Sequence, residues 1–167
     1  MSIDERDTVS QPDTSMTIGV IADTHGLLRP EAVDALRGSD HILHAGDIGD
    51  PEILRVLEAI APVSAIRGNN DDAPWAAGLP DELRLELAGV SIYLLHDRKQ
   101  LAIDPGQEGI DVVIAGHSHK PLLEYRDGVL HLNPGAAGRR RFKLPITVAL
   151  MRVHHRQVEV EHIDLLD

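Results

Sequence analysis

Thr17-Ile18-Gly19-Val20-Ile21-Ala22-Asp23-Thr24-His25-Gly26 is a short apolar run that breaks abruptly into a polar loop ending on glycine. Apolar side chains at consecutive rather than alternate positions describe a strand covered on both faces, as in a parallel sheet. Pro30 then opens a helix with Ala32, Val33 and Leu36 on one face, and Gly38 ends it. His41 to Ala45 reads as a second strand. Asp50 is a natural N-cap with Pro51 at the first helical position, and Ile53, Leu54, Leu57, Ile60 and Ala61 follow at helical spacing. Val63 to Ile66 makes a third strand. Strands alternating with helices of this length imply parallel pairing through right-handed crossovers.

Upstream, positions 1–16 are polar, with Asp4, Glu5, Asp7 and Asp13 and no periodicity. They read as a flexible leader before a single domain over 17–167. Downstream the pattern changes period. Leu83, Leu85 and Leu87 alternate with Arg84 and Glu86, Ala88-Gly89 makes a turn, and Val90, Ile92 and Leu94 alternate with Ser91 and Tyr93. That is a hairpin. Asp111 to Ala115 is another buried strand. Asp127-Gly128 is the turn of a second hairpin between 122–125 and 129–132, and 147–153 pairs with 157–163. Asp104, Pro105, Gly106 and Gly109 make a long crossover helix between His96 and Asp111 unexpected. The sum is one α/β domain with a mixed or double sheet.

Composition narrows the function. A length of 167 residues with 43% apolar content supports one sizeable core. A net charge of −11 opposes a broad basic surface for nucleic acid, and 2% aromatics leaves few stacking platforms for single strands. The absence of cysteine excludes disulfides and thiolate metal sites. No apolar run reaches the roughly 18 residues of a membrane span, and 1–16 has no signal-peptide core, so a cytoplasmic location is the default expectation.

Five short motifs each follow a strand: Asp23-Thr24-His25-Gly26, Gly46-Asp47, Gly68-Asn69-Asn70-Asp71, His96, and Gly116-His117-Ser118-His119. Loops at the carboxyl ends of strands in α/β sheets share one crevice, so residues far apart in sequence meet there. Two carboxylates, one amide oxygen and four imidazoles are seven donors: Asp23, His25, Asp47, Asn69, His96, His117 and His119. Mixed nitrogen and oxygen donors without sulfur suit manganese, iron, zinc, cobalt or nickel. Seven exceed one tetrahedral site and fit two metals that share a carboxylate and leave room for water. Each motif alone is weak, because Asp-x-His, Gly-Asp and Asn-Asn-Asp are also ordinary turn and capping sequences. Their ordered conjunction is not.

Together these motifs resemble the calcineurin-like metallophosphoesterase superfamily, and the short length with Asn133-Pro134-Gly135 resembles its compact bacterial and archaeal phosphodiesterase branch. The resemblance runs from Thr17 to the C-terminus. It implies a double β-sheet sandwich flanked by helices in α/β/β/α layers. It also implies a dinuclear centre, with manganese the first expectation, in which Asp23, His25 and His119 hold one metal, Asn69, His96 and His117 the other, and Asp47 bridges. The implied activity is phosphodiester hydrolysis by metal-activated water on a small phosphate ester. Two positions depart from the pattern. Asn70 stands where many relatives carry a catalytic histidine and the compact branch often cysteine; it donates a hydrogen bond but is no general acid near pH 7. Asp97-Arg98 follows His96 where glycine is common, and Asp97 is expected either to repel phosphate or to orient His96.

Of the remaining residues, His44 suits core packing better than ligand support, Asp71 suits a structural role, and His154-His155 an exposed turn. Arg139-Arg140-Arg141 reads as a solvated loop or an oligomer contact, with phosphate capture the sharper alternative. Trp75 suits a loop cap or a subunit interface, so a homo-oligomer stays open. Lys120 in place of glycine spoils the Gly-x-Ser-x-Gly likeness around Ser118. The rival to an enzyme is a scaffold or protein-interaction module with this fold and a metal site but no catalysis; loss of ligands would mark one, and all seven are retained.

Overall fold

A computed structural model describes residues 15–166. Its first strand, β1 (Met16–Ile21), begins one residue inside the stretch read as leader, with Met16 opposite Val153; positions 1–14 lie outside the described residues. There follow α1 (Pro30–Leu36), β2 (His41–His44), α2 (Pro51–Glu58) and β3 (Val63–Ala65). The second half comprises β4 (Glu82–Leu87), β5 (Val90–Leu95), β6 (Val112–Ile114), β7 (Leu122–Arg126), β8 (Val129–Asn133), β9 (Thr147–His154) and β10 (Gln157–Asp164).

The strands form two five-stranded sheets, ordered β10-β9-β1-β2-β3 and β4-β5-β6-β8-β7. β1, β2 and β3 pair in parallel, as the strand–helix alternation implies, and so do β5, β6 and β8. Hairpins supply the antiparallel pairs at the sheet edges. The architecture is the double-sheet sandwich expected. Ile18, Val20 and Leu43 from one sheet meet Ile92, Leu94, Ile114 and Leu132 from the other in the central core. Removing such water-exposed area is the main drive to stack the layers, at about 25 cal/mol per Å².

Both helices pack on the outer face of the first sheet, where Ala32, Leu36, Ile53 and Leu57 cover Ile21 and Ile42. Pro51 and the Asp50 side chain, which accepts from Glu52 N–H at 2.8 Å, start α2 as expected. The outer face of the second sheet is covered differently. Leu101 and Ile103, in a segment with one 3₁₀ turn at Arg98–Gln100, pack on Tyr93, Leu95 and Val113. A crossover without an α-helix is what Pro105, Gly106 and Gly109 favour. No helix among the described residues is long and apolar enough to cross a membrane.

Candidate metal centre

The loops after β1, β2, β3, β5 and β6 gather at one end of the sandwich. Hydrogen bonds zip the first two together: Asp23 N–H to Gly46 O at 3.0 Å, His25 N–H to Asp47 O at 2.9 Å, and Gly26 N–H to Ile48 O at 2.8 Å. Others tie in the loops of the second sheet. His117 N–H donates to Asp23 Oδ2 at 2.9 Å, and Gly116 N–H to His96 O at 2.9 Å. The loops are also held out of relaxed geometry. Of the ten non-glycine residues with positive φ among the described residues, five are Asp23, His25, Asp47, His117 and His119. A left-handed residue with a Cβ costs on the order of 1–2 kcal/mol, so the surrounding contacts must over-determine these five.

All seven candidate ligands come together. Asp23, His25 and His119 each present a donor atom within 4.8 Å of the others, and Asp47, His96 and His117 do the same. Asn69 Oδ1 lies 3.2 Å from His117 Nδ1, which is itself 3.3 Å from His96 Nε2. The two groups adjoin. Asp47 Oδ2 is 3.2 Å from His96 Nε2 and 3.6 Å from His25 Nε2, and thus borders both. Asp23 Oδ1 stands 3.7, 3.8 and 3.6 Å from Nε2 of His25, His96 and His119, beyond hydrogen-bond range. Asp23 Oδ1 and His25 Nε2 are buried with no hydrogen-bond partner. Orphaned lone pairs converging from carboxylate and imidazole are costly to bury alone and fit a divalent cation.

The electrostatics agree with a place for positive charge. Burial pushes Asp23 up to about 7; His96 opposes this, and the neighbouring Asp47 charge adds to it. Asp47 is held down at about 2, because bonds from His96 and the Asn70 N–H outweigh its burial. Two adjacent carboxylates are thus set to ionise far apart, Asp47 first and Asp23 only near neutral pH. Burial lowers His25, with Arg141 and His96 aiding and Asp47 resisting. It also takes His119 to about 4, with Arg141 and His25 contributing. His96 goes the other way: contacts with Asp47 and the Ala45 carbonyl overcome its burial and raise it. Its Nδ1 sits 2.7 Å from Ala45 O, which fixes the N–H there and turns Nε2 into the centre.

A second ring of residues positions the ligands. His44 is buried and pushed down to about 3 by burial, hence neutral. Its Nδ1 accepts from Gly46 N–H at 3.1 Å and its Nε2 meets Thr24 Oγ1 at 3.1 Å, while Thr24 donates to Ile48 O at 2.8 Å. His44 therefore links two ligand loops rather than merely filling the core. Asp71 is structural: its carboxylate accepts from Ile48, Gly49 and Gly68 N–H at 3.0–3.1 Å. Asn133, which the sequence marks only as part of Asn-Pro-Gly, clamps the His117 loop through Gly116 O at 2.9 Å and Ser118 Oγ at 3.1 Å. At Gly68 a Cβ would fall 2.2 Å from both Asp47 N and Oδ1. Gly68→Ala is expected to displace Asp47 and cost about 2 kcal/mol or more, read as a lowered denaturation midpoint with unchanged m-value.

Some expectations need correction. Asp97 does not orient His96: its Oδ1 caps Lys99 N–H at 3.0 Å and its Oδ2 lies 3.8 Å from His117 Nε2. The backbone carbonyl of Ala45 already occupies the His96 Nδ1. Asn70, the catalytic candidate of the sequence, donates to Asp47 twice, from N–H to Oδ1 at 2.8 Å and from Nδ2 to Oδ2 at 3.1 Å, and so steadies that candidate ligand. Elsewhere, His41 bonds Ser64 Oγ at 2.8 Å, His162 bonds Asn133 O at 2.7 Å, and His131 is buried in β8. Trp75 packs against the helix-side core. A cavity of about 650 Å³, lined by Arg67, Asn69, His96, Asp97, Gln100 and His117, opens beside the second donor group.

A two-sheet sandwich with these candidate donors at the strand ends is the architecture of the metallophosphoesterase class, and the profile of the calcineurin-like phosphoesterase superfamily domain matches residues 16–156. The chain belongs to that family. It is 36% identical over 160 residues to a probable metallophosphoesterase of Methanothermobacter thermautotrophicus, covering 89% of this chain and 92% of that protein. An archaeal phosphodiesterase structure superposes with a TM-score of 0.76 at 24% identity, over 89% of this chain and 99% of that one. Vps29 of Entamoeba histolytica, solved with zinc, superposes at 0.69 with 23% identity, over 90% and 99%. At these identities the two structures speak for the fold alone.

Proposed function

We propose that the chain is a two-metal-dependent phosphoesterase that hydrolyses phosphodiesters with a metal-activated water. One observation carries this: two donor groups, Asp23/His25/His119 and Asp47/His96/His117, adjoin at Asp47. Asn69 would complete the second group, and Asp47, which borders both, would bridge. Divalent cations, manganese first among them, would bring a coordinated water toward neutral pKa and offset charge on the phosphoryl oxygens. The chain supplies orientation: Asn70 fixes both oxygens of Asp47, Ala45 O fixes the His96 tautomer, and the His117 N–H fixes Asp23. The adjacent 650 Å³ cavity is large enough for the alcohol portion of a small ester. Asn70 cannot protonate a departing alkoxide, so esters of acidic alcohols are the better substrates.

The test uses bis(4-nitrophenyl) phosphate with purified protein. Turnover is expected with Mn²⁺, lost with EDTA and regained on adding metal back. Metal-loaded protein with no turnover above Asp47→Ala, on diesters or on 4-nitrophenyl phosphate, overturns the reading. Cation binding without turnover would favour the non-catalytic scaffold, for which the fold shared with Vps29 is the supporting observation.

A further inference from the structure

The loop from Ala137 to Pro145 is the strongest feature left unused by the centre. Its two ends are tied: Ala136 bridges Ile146, Ala137 N–H donates to Ala22 O at 3.0 Å, and Gly138 N–H donates to Asp23 O at 3.2 Å. Arg29 Nε adds a bond to Gly138 O at 3.1 Å. The fit is tight enough to demand glycine, since a Cβ at Gly138 would fall 2.2 Å from Thr24 O. This seam fixes the loop against the Asp23–His25 turn. Three residues further on, within the roughly 11 Å that three extended residues span, comes Arg141. Leu144 N–H closes a turn on its carbonyl at 3.2 Å, and Phe142 between them has φ +57° and is 86% exposed.

Charge makes the loop unusual. Arg139, Arg140, Arg141 and Lys143 are four cations within five positions of a chain whose net charge is −11. All four are exposed, and none is ion-paired with a described acid. Arg141 stands near enough to the first donor group for its charge to act on Asp23, His25 and His119 alike. Beside His117, by contrast, the cavity wall is acidic: Arg67 is matched by Asp81 at 2.9 Å, leaving Glu82 and Asp97. The surroundings of the two donor groups are therefore electrically lopsided, with the Arg141 charge acting on Asp23 and His119 and acids beside His117. A diester with a single charge has no use for the surplus cations; an ester with a second anionic group does.

We propose that Arg141 is a substrate-binding residue that receives a further phosphate or carboxylate on the substrate, so that the protein prefers phosphodiesters carrying an additional negative group on one arm. This rests on the phosphoesterase reading. A guanidinium can take two oxygens of such a group at once, and its neighbours raise the local concentration of anions without contacting them.

A matched substrate pair tests it: the 4-nitrophenyl 5′-phosphodiester of a nucleoside with a free 3′-hydroxyl, and the same compound with a 3′-phosphate. Wild-type protein is expected to show a KM about tenfold lower for the phosphorylated member. Arg141→Gln should erase that ratio, Arg141→Lys should restore part of it, and Arg139→Gln should retain most of it. Calorimetry on metal-loaded protein gives a reading independent of turnover: pyrophosphate affinity should fall about tenfold in Arg141→Gln while Mn²⁺ affinity holds. Equal effects from Arg139→Gln and Arg141→Gln, or a wild-type protein indifferent to the 3′-phosphate, would overturn the assignment. Should neither substrate turn over, the phosphoesterase reading fails on its own, and pyrophosphate binding that ignores Arg141→Gln then sinks this one too.

Discussion

Asp47→Asn protein is expected to lose phosphodiester turnover on the order of a thousandfold while its metal-free fold survives. The reasoning separates shape from charge. Asparagine keeps an oxygen for the Asn70 N–H at 2.8 Å, and Asn70 can reverse its own amide to meet the new NH₂ at the former Oδ2. Those contacts preserve the loop. What disappears is the carboxylate held ionised, at about 2, whose Oδ2 lies 3.2 Å from His96 and 3.6 Å from His25 and so borders both donor groups. An amide oxygen binds a divalent cation far less firmly than a carboxylate. Loss of an outer contact to a ligand typically costs 10–100-fold, so loss of a ligand's own charge should cost at least another order. Parallel measurements of kcat/KM and of the urea midpoint without metal decide it. Unchanged turnover would remove Asp47 from the chemistry; a collapsed midpoint would make its role structural.

The legible part of this molecule was the part governed by periodicity. Leu83, Leu85 and Leu87 against Arg84 and Glu86 announce an edge strand because a pleated ribbon alternates its faces, and Asp127-Gly128 announces its turn because both residues accept positive φ. The gathering of the seven candidate donors was also legible, because each lies in a loop after a strand whose parallel neighbours end on the same side. Contacts made across the sandwich were not. Nothing near His96 in sequence says that Ala45, 51 positions away, takes its Nδ1, so orienting His96 stood as one of the two readings of Asp97. Nothing near Gly138 says that it must lie against Thr24, a neighbour only after two sheets have stacked. Backbone strain at Asp23, His25, Asp47, His117 and His119 is equally invisible, since their residue types tolerate many conformations.

The second large effect concerns stability, and its sign runs against the usual expectation for a buried ligand. Asp23→Asn should stabilise the metal-free protein near neutral pH, and the gain should vanish toward pH 4. In the folded chain Asp23 ionises at about 7 instead of its ordinary 3.8, because burial leaves Oδ1 without a partner. Below 3.8 folded and unfolded chains both hold the proton, and the residue is neutral to stability. Between 3.8 and 7 the unfolded chain gives up its proton first, so folding is penalised progressively as pH rises; above 7 the penalty is constant. Three pH units of delay correspond to about 4 kcal/mol, on the order of ten degrees in Tm for a domain of this size. Asparagine escapes the penalty. Its oxygen can keep the His117 N–H now 2.9 Å from Oδ2, and its NH₂ can face the His25 and His119 nitrogens, which burial holds neutral. Wild-type protein should recover the difference when Mn²⁺ is added, since a ligand at a hundred times its dissociation constant contributes about 2.7 kcal/mol per site, whereas the variant should respond weakly. Melting curves of both proteins at pH 4.5 and 7.5, each with EDTA and with Mn²⁺, give all eight values. If the metal-free variant melts below wild type at pH 7.5, or its advantage is as large at pH 4.5, then Asp23 is not the strained carboxyl that cation binding relieves.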